Sequence, residues 1–238
     1  PSRSWGLRCA QNCCGALAHL TVRPSQFPLP NFQVSRMRLT KIVCVGRNYM
    51  EHAKELGNEV PKEPLIFLKP PSSLIGDEQP IRLPAVSNQV EYEGEIGVVI
   101  GTKLASASEQ EARAGILAIA AVNDVTARDL QKSDPQWTRA KGFDTFCPVG
   151  LPGEPPDELA SLQVVTRVNG VERQRGSASQ MAFSIPMLLS YISKIMTLEP
   201  GDLVCTGTPA GVGTLQPGDV VEVEVPGVSR VRNPVVAP

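Results

Sequence analysis

Three carboxylates carry the clearest chemical signal in this sequence. Glu93 and Glu95 lie two residues apart in the run VEYEGEIGVVI, and Asp124 follows the next predicted strand, in AVNDVTARDLQ. Residues two apart on a strand point to the same face, about 6.6 Å apart along it. Gathered carboxylates repel one another unless a cation lies between them. The three residues therefore predict a site for a hard divalent cation with oxygen ligands, with Mg²⁺ as the natural candidate.

The alternative is a solvent-facing strand that carries acidic side chains without a cation. The alternating run over 221–225 is typical of that case, and its Glu222 and Glu224 are interpreted as solvated. Residues 96–100 are instead entirely apolar, which indicates a buried strand next to the Glu93 pair. A buried strand that carries two carboxylates needs a partner for them, which favours the cation site.

A histidine and a glutamate form a candidate general base. A short helix is predicted over 49–56, with Asn48 as its N-cap and Gly57 at its end. His52 and Glu55 are three residues apart on that helix and share a face. A carboxylate beside an imidazole orients the ring and raises its basicity. The alternative is an exposed helical histidine that lies near a glutamate by chance.

Asp124, Arg128 and Gln131 have the spacing i, i+4 and i+7. If residues 124–131 are helical, the three side chains share a face and could bind an anionic substrate beside the cation. Arginine can grip a carboxylate with two parallel hydrogen bonds. The alternative is an ordinary salt bridge between Asp124 and Arg128 on the helix surface.

Two lysines and one loop could stabilise negative charge. Lys141, in TRAKGFDTFCPVG, and Lys69, at the end of a predicted strand, could each stabilise an oxyanion or enolate. The alternative for either lysine is a surface position with a buried aliphatic stem. The loop GTPAGVG over 207–213 lacks the Gly-Lys-Ser/Thr ending of a phosphate loop, but its backbone N–H groups and Thr208 could hold a carboxylate.

The elements that must position these residues are mostly strands. Short strands are predicted over the six segments 41–46, 65–68, 96–100, 115–122, 202–206 and 219–225. Residues 72–90 and 150–158 are predicted to be loops. Ser108 with Glu111 forms a capping box for one short helix, and Ser184 caps another that runs to about Met196. The pattern predicts a mostly β fold with short helices, in the α+β class.

Composition excludes several classes of function. The length of 238 residues suits one large domain or two small ones. The formal net charge of −1 argues against a nucleic-acid binder. No apolar run approaches the roughly 20 residues that a membrane helix needs, so no membrane partner is expected. Cys44, Cys147 and Cys205 lack zinc-ligand spacing and are interpreted as reduced interior residues of an intracellular protein.

The first 36 residues differ from the rest of the chain. They contain four arginines and three cysteines but no acidic residue. They could be an organelle presequence, a poorly ordered tail, or upstream sequence that does not belong to the functional protein. The last interpretation is preferred, because Met37 directly precedes the first predicted strand. The catalytic domain is then predicted over 37–238. The predicted location is the cytoplasm, or the mitochondrial matrix if residues 1–36 are a presequence.

Seven motifs occur in an order that resembles the fumarylacetoacetate hydrolase family. The resemblance covers about 38–234 and is nearest to the small single-domain branch with acylpyruvases and oxaloacetate decarboxylases. The motifs are VGRNYMEHAKEL, EPLIFLKP, EYEGEIGVVIG, VNDVTARDLQ, WTRAKGFDTFCPVG, SIPMLLSYIS and GDLVCTGTPAGVG.

The resemblance implies a mixed β-sandwich roll, usually in a homodimer, and assigns roles to single residues. It implies Mg²⁺ or Mn²⁺ held by Glu93, Glu95 and Asp124, and a His52–Glu55 dyad on a mobile lid helix. The remaining matches are positions that contact substrate or stabilise charge, namely Arg128, Gln131, Lys141 and Thr208.

The function implied by the resemblance is metal-dependent hydrolysis of a C–C bond in 2,4-dioxo acids such as fumarylpyruvate or acetylpyruvate. The dyad would activate water, and pyruvate would leave as an enolate stabilised by the cation and Lys141. The alternatives are an oxaloacetate decarboxylase, a 2-hydroxyhepta-2,4-diene-1,7-dioate isomerase, and a non-catalytic protein that binds metal or carboxylate. An intact dyad and Lys141 argue against the non-catalytic alternative.

Overall fold

The structure is a computed structural model that describes residues 39–51 and 61–238, all of which lie in one compact unit. Three predictions fall outside these residues: the leader over 1–36, most of the helix over 49–56, and the His52–Glu55 dyad. Within the described ranges, no helix is both long enough and apolar enough to cross a membrane.

The described part of the chain contains fifteen strands and four α-helices. The strands are β1 (Ile42–Gly46), β2 (Leu65–Lys69), β3 (Leu74–Ile75), β4 (Ile81–Arg82), β5 (Val90–Tyr92), β6 (Gly94–Ile100), β7 (Ile116–Asn123), β8 (Thr126–Ala127), β9 (Cys147–Pro148), β10 (Gln163–Val168), β11 (Val171–Ser177), β12 (Leu203–Cys205), β13 (Gly213–Thr214), β14 (Val220–Val225) and β15 (Ser229–Val236). The helices are α1 (Glu109–Ala114), α2 (Arg128–Ser133), α3 (Thr138–Lys141) and α4 (Ile185–Ile195).

Two five-stranded sheets form the body of the fold. The first has the order β2-β1-β12-β6-β7, and only the β1–β12 pair in it is parallel. The second has the order β11-β10-β14-β15-β4, with β15 and β4 parallel. A three-stranded sheet has the order β13-β5-β8, and its strand β5 directly precedes β6 along the chain.

The main hydrophobic core lies between the two large sheets and under α4. It joins Ile96 and Ile119 of the first sheet to Val223 and Val231 of the second, with Leu188 of α4 packed against them. The strand pattern places these side chains on one face, since neighbours along a strand alternate between faces. A mostly β fold built as a mixed sandwich is therefore confirmed, and the strand-rich sequence pattern is its cause.

Two of the helix caps predicted from sequence, at Ser108 and Ser184, are present. Ser108 Oγ accepts a hydrogen bond from Glu111 N at 3.2 Å, and Glu111 Oε2 accepts one from Ser108 N at 2.8 Å. Ser184 Oγ accepts a hydrogen bond from Met187 N at 3.4 Å at the start of α4. These bonds satisfy N–H groups that a helix leaves without internal partners.

One prediction about local structure is wrong, and the helix that was considered over 124–131 is not formed as such. Residues 72–90 are not simply a loop, because they contain β3 and β4 and the start of β5. Residues 124–131 are not one helix either. Residues 126–127 form β8, which pairs with Val90 and Glu91, and the helix begins only at Arg128. The β-branched Val125 and Thr126 favour the extended conformation that this pairing requires.

Candidate active site

The fold brings the three predicted ligands together. Glu95 lies in β6 opposite Val122 of β7, and Asp124 follows the end of β7. Glu93 lies at the break between β5 and β6, where its carbonyl accepts a hydrogen bond from Asp124 N at 2.8 Å. One carboxylate oxygen from each residue lies within 4.8 Å of the others, and all three side chains are buried.

Glu95 is the carboxylate with the fewest partners in this group. Among the described residues it accepts one hydrogen bond, from Gly207 N to Oε2 at 2.8 Å. Burial raises the pKa of Glu95 well above its ordinary value, and the negative charges of Asp124 and Glu93 raise it further. A positive charge beside Glu95 would reverse this shift, which is the behaviour expected of a metal ligand.

Lys141 and Lys69 neutralise the other two carboxylates. Lys141 Nζ donates to Glu93 Oε2 at 2.8 Å and to Asp124 Oδ2 at 2.6 Å. Lys69 Nζ donates to Asp124 Oδ1 at 2.6 Å and to the Val125 carbonyl at 3.1 Å. Both lysines are buried, so the alternative of a surface position does not hold for either.

Lys141 remains a cation despite its burial. Burial lowers the pKa of Lys141, but the attraction of Asp124 and Glu93 outweighs it and the pKa lies above its ordinary value. Its ammonium group also lies 5.0 Å from the centre of the Phe67 ring. The site therefore holds a fixed positive charge next to the carboxylates.

Arg128 bonds to glutamates, and not to Asp124 as an i,i+4 pair would. Its Nε donates to Glu91 Oε2 at 2.7 Å, its Nη2 to Glu93 Oε1 at 2.5 Å, and its Nη1 to Gln131 Oε1 at 2.5 Å. Burial lowers the pKa of Arg128, but Glu93 and Glu91 outweigh that effect and hold it above its ordinary value. The guanidinium thus links Glu93 to Gln131.

The loop after β12 completes the site from the opposite side. Thr208 Oγ1 donates to the Gly94 carbonyl at 2.8 Å and accepts from Gln174 Nε2 at 2.8 Å. Gly207 has a φ of +101°, and a Cβ at this position would lie 2.9 Å from the Asn48 side chain. A glycine is required here, because only glycine adopts this conformation freely and leaves the space empty.

A cavity of about 360 Å³ connects these groups. It is lined by thirteen residues: Val45, Gly46, Arg47, Phe67, Glu93, Glu95, Asp124, Arg128, Gln131, Lys132, Trp137, Lys141 and Thr208. Its volume lies in the range of about 300–1,000 Å³ that is usual for small-molecule sites. Lys69 does not line this cavity, so the structure places it behind Asp124, away from the space open to a ligand.

The charges and donor atoms fit a divalent cation. Four buried carboxylates (Glu91, Glu93, Glu95 and Asp124) face three buried cations (Arg128, Lys69 and Lys141), which leaves one negative charge when all are ionised. A divalent cation would turn this into one positive charge, which suits an anionic substrate. Carboxylate oxygens are the ligands that Mg²⁺ and Mn²⁺ prefer.

A family model for the C-terminal domain of fumarylacetoacetate (FAA) hydrolase matches residues 41–236. The chain belongs to this family. The family contains enzymes, and the match spans all the site residues named above.

Relatives and solved structures with similar chains have related names. The chain is 45% identical over 196 residues to the mitochondrial oxaloacetate decarboxylase of Dictyostelium discoideum, covering 79% of this chain and 89% of the relative. It is 45% identical over 199 residues to the mitochondrial oxaloacetate tautomerase FAHD1 of Arabidopsis thaliana, covering 81% and 89%. The structure of fumarylpyruvate hydrolase from Pseudomonas aeruginosa, in complex with Mn²⁺ and pyruvate, superposes with a TM-score of 0.79 at 28% identity, covering 84% and 91%.

Two buried residues at the site were not foreseen. Glu91 holds Arg128, and Gln174, from β11 of the second sheet, holds Thr208 and donates to the Pro209 carbonyl at 2.8 Å. Glu91 could have been found, because it precedes Glu93 by two residues, the same spacing that relates Glu93 to Glu95. Gln174 had no comparable signal, since only the packing of the two sheets brings it to the loop.

Proposed function

We propose that this protein catalyses proton transfer and C–C bond cleavage at a small 2-oxo acid, with oxaloacetate as its main substrate class. The observation that carries the proposal is the buried cation Lys141 beside three buried carboxylates at the wall of one cavity. The names of the two relatives at 45% identity support oxaloacetate in particular. For this reason we propose oxaloacetate ahead of the acylpyruvate hydrolysis that was expected first from the sequence.

Glu93, Glu95 and Asp124 are proposed to hold Mg²⁺ or Mn²⁺. When bound, such a cation polarises the 2-oxo and carboxylate oxygens of the substrate and orients them. Lys69 and Lys141 bond to the two oxygens of Asp124, and Lys141 also bonds to one oxygen of Glu93, so these side chains are ordered before a cation arrives, and each oxygen keeps a second lone pair for it.

Lys141 is proposed to stabilise the charge that develops during the reaction. When a proton leaves C3 of oxaloacetate, or when the bond from C3 to the C4 carboxylate breaks, negative charge moves to the C2 oxygen. A fixed ammonium group in a buried site stabilises that enolate more than water would. Gln131 lines the same cavity, and its side-chain NH₂ group can donate a further hydrogen bond to the substrate, whereas the Thr208 hydroxyl, which donates to the Gly94 carbonyl, can only accept one.

The proton carrier is proposed to be His52, oriented by Glu55. Both residues lie outside the described part of the chain, so the assignment stays a prediction. In keto–enol exchange the imidazole would take the proton from C3, and the enolate oxygen would be protonated in turn. Isomerisation of a dienoic diacid would use the same proton transfers.

The test is the keto–enol exchange of oxaloacetate, followed by the ultraviolet absorbance of its enol in the presence of Mn²⁺. We expect the protein to accelerate the exchange and Lys141→Met to slow it by about 10²–10³-fold. Lys103→Met is the control, because Lys103 is 64% exposed, lies near Glu199 and does not line the cavity. If the parent protein does not accelerate the exchange or release CO₂, the proposed function is wrong.

Hydrolysis of acylpyruvates is the second candidate. It is supported by the structural similarity to a fumarylpyruvate hydrolase in complex with Mn²⁺ and pyruvate. His52→Ala or Glu55→Gln should reduce this reaction by about 10²–10⁴-fold, because water must be deprotonated. Decarboxylation needs no attacking water and should be less affected. Pyruvate release from acetylpyruvate and from fumarylpyruvate measures the activity.

A homodimer is proposed for the assembly. β2 is the edge strand of the first sheet, and its Leu65 and Leu68 are 36% and 48% exposed. An exposed apolar edge strand is typical of a surface that pairs with another chain. Light scattering during gel filtration would give the mass, and a monomer at micromolar concentration would contradict the proposal.

A further inference from the structure

The cations that line the cavity fall into two groups. Arg128 and Lys141 bond to the carboxylates of the site. Arg47 and Lys132 line the same cavity, and neither is within ion-pair distance of a carboxylate in the part of the chain that the structure describes. A ligand in the cavity therefore meets two positive charges that no described acidic residue offsets.

We propose that Arg47, assisted by Lys132, binds the distal carboxylate of a 2-oxo dicarboxylic acid and so makes the site selective for diacids. The inference rests on the proposed function, because the near carboxylate and 2-oxo group are taken to lie at the Glu93–Glu95–Asp124 end. Lys141 and Thr208 serve that near end. Arg128 cannot serve as a free second cation, since its charge is offset by Glu91 and Glu93.

The backbone at Arg47 supports a role in ligand binding. Arg47 has a φ of 58°, in the left-handed region that is unfavourable for residues other than glycine. Such strain persists where the surroundings enforce it, and it concentrates at ligand sites. A glycine at this position would remove the strain but also the positive charge.

The neighbours of Arg47 enforce this conformation. Gly46 ends β1 in register with Leu65, so the chain is fixed before Arg47. Asn48 is fully buried; its amide donates to the Thr206 carbonyl at 2.8 Å and accepts from Phe183 N at 2.9 Å. Arg47 is thus held at the cavity wall between two fixed residues.

The size of the cavity also allows a diacid. At about 360 Å³ it has room beyond the three carboxylates for a short carbon chain. The apolar wall is provided by Phe67 and Trp137, whose rings meet edge to face with centroids 5.2 Å apart. A methyl group at the distal end of a substrate would find no specific partner beside Arg47, whereas a carboxylate would accept two hydrogen bonds from the guanidinium.

The test compares ligands that differ only in the distal group. Calorimetric titration of the Mn²⁺-loaded protein would measure Kd for 2-oxoglutarate and for 2-oxovalerate, and kcat/KM would be measured for oxaloacetate and acetylpyruvate. The variants are Arg47→Asn, which removes the charge but tolerates a positive φ, and Lys132→Gln. The controls are Arg82→Asn and Lys103→Gln, which make the same charge changes at exposed residues outside the cavity lining.

We expect Arg47→Asn to raise the Kd of 2-oxoglutarate about 10- to 100-fold and to change the Kd of 2-oxovalerate by less than about twofold. Lys132→Gln should raise the Kd of the diacid only about threefold, because the Lys132 side chain is exposed. The inference is overturned if Arg47→Asn weakens the binding of the two ligands equally, or if it changes the binding of neither. Should Arg47→Asn fail to fold, Arg47→Gly offers a second neutral variant without backbone strain.

The binding measurement separates the two proposals. If the parent protein prefers 2-oxoglutarate in an Arg47-dependent way but does not act on oxaloacetate, the proposed function fails and the diacid site stands. If oxaloacetate is turned over while 2-oxoglutarate and 2-oxovalerate bind alike, the diacid site fails and the proposed function stands.

Discussion

Two buried carboxylates in this protein have opposite surroundings. Asp202 accepts five hydrogen bonds, from Thr40 N and Oγ1, Lys41 N and Nζ, and Glu199 N. Glu95 accepts one among the described residues, from Gly207 N. The donors around Asp202 hold the start of β1 beside β12, so its charge serves the fold. The charge of Glu95 has no such use within the described structure.

The pKa values follow the same division. Burial raises the pKa of Asp202, but the hydrogen bonds of Lys41 and Thr40 outweigh burial and the pKa lies below its ordinary value. Burial raises the pKa of Glu95, and the neighbouring Asp124 and Glu93 add to the increase. Asp202 is thus a buried acid that stabilises the fold, whereas Glu95 has the surroundings expected of a cation ligand.

Glu95→Gln should have the largest effect. The change removes a ligand charge but keeps the shape, so activity with Mn²⁺ should fall by at least about 10³-fold. The metal-free protein should melt at a higher temperature than the parent, because repulsion with Glu93 and Asp124 is relieved. Scanning calorimetry with a chelator measures this, and a lower melting temperature would contradict the comparison.

Lys141→Met should reduce both activity and stability. Removing one partner of a buried ion pair costs about 3–5 kcal/mol of unfolding free energy, because Glu93 and Asp124 lose their shared cation. Urea denaturation should show less destabilisation when Mn²⁺ is present, since the cation offsets the same carboxylates. Equal destabilisation with and without Mn²⁺ would argue against a shared site.

Asp202→Asn should affect stability alone. Loss of the charged acceptor should lower the unfolding free energy by about 1.5–3 kcal/mol, while kcat/KM of the folded protein stays unchanged. The folded-state pKa of Asp202 is depressed, so its contribution is full above its unfolded pKa near about 4 and is lost as the pH falls through the folded value. The difference between parent and variant should therefore shrink in acid. If the difference in unfolding free energy grows as the pH falls, the stabilising role assigned to the Asp202 charge is wrong.

Glu224→Gln should have the smallest effect. Glu224 and Glu222 are partly exposed and accept hydrogen bonds from Arg167 Nη1 at 2.7 and 3.2 Å. Such pairs near the surface contribute about 0–1 kcal/mol. Activity and Mn²⁺ binding should match the parent, which makes this variant a control for acidic substitutions in strands. A loss of activity would contradict the interpretation of Glu224 as a solvated residue without a role in the candidate site.

Local sequence signals predicted much of the fold. The apolar runs predicted β1, β6 and β7 within a residue or two at each end, and the Ser108 and Ser184 caps marked the starts of α1 and α4. These elements are determined by nearby residues, through the spacing of apolar positions along the chain and through helix capping.

Long-range pairing could not be predicted in the same way. The strands β10, β11 and β15 were not anticipated, and their alternation of polar and apolar residues matters only once they pair with one another or with β14. The parallel pairing of Ile42 with Leu203 joins segments 161 residues apart. Nothing local in the sequence specifies such a partner.

In the candidate site, too, local spacing could be read from the sequence and long-range contacts could not. The proximity of Glu93, Glu95 and Asp124 could be predicted, because two of them lie two residues apart and the third follows the adjacent strand. The alternative of a salt bridge between Asp124 and Arg128 does not hold, because β8 separates the two residues and pairing with β5 brings Glu91 to the guanidinium. Tertiary pairing decided this contact, and helical spacing could not reveal it.

Calorimetric titration of the chelator-treated protein with Mn²⁺ tests the central claim most directly. The parent and Glu224→Gln should each bind about one ion per chain, and Glu95→Gln should show no saturable binding at the same concentrations. If Glu95→Gln binds Mn²⁺ as tightly as the parent, then Glu93, Glu95 and Asp124 are not the cation site and the comparison with Asp202 loses its meaning.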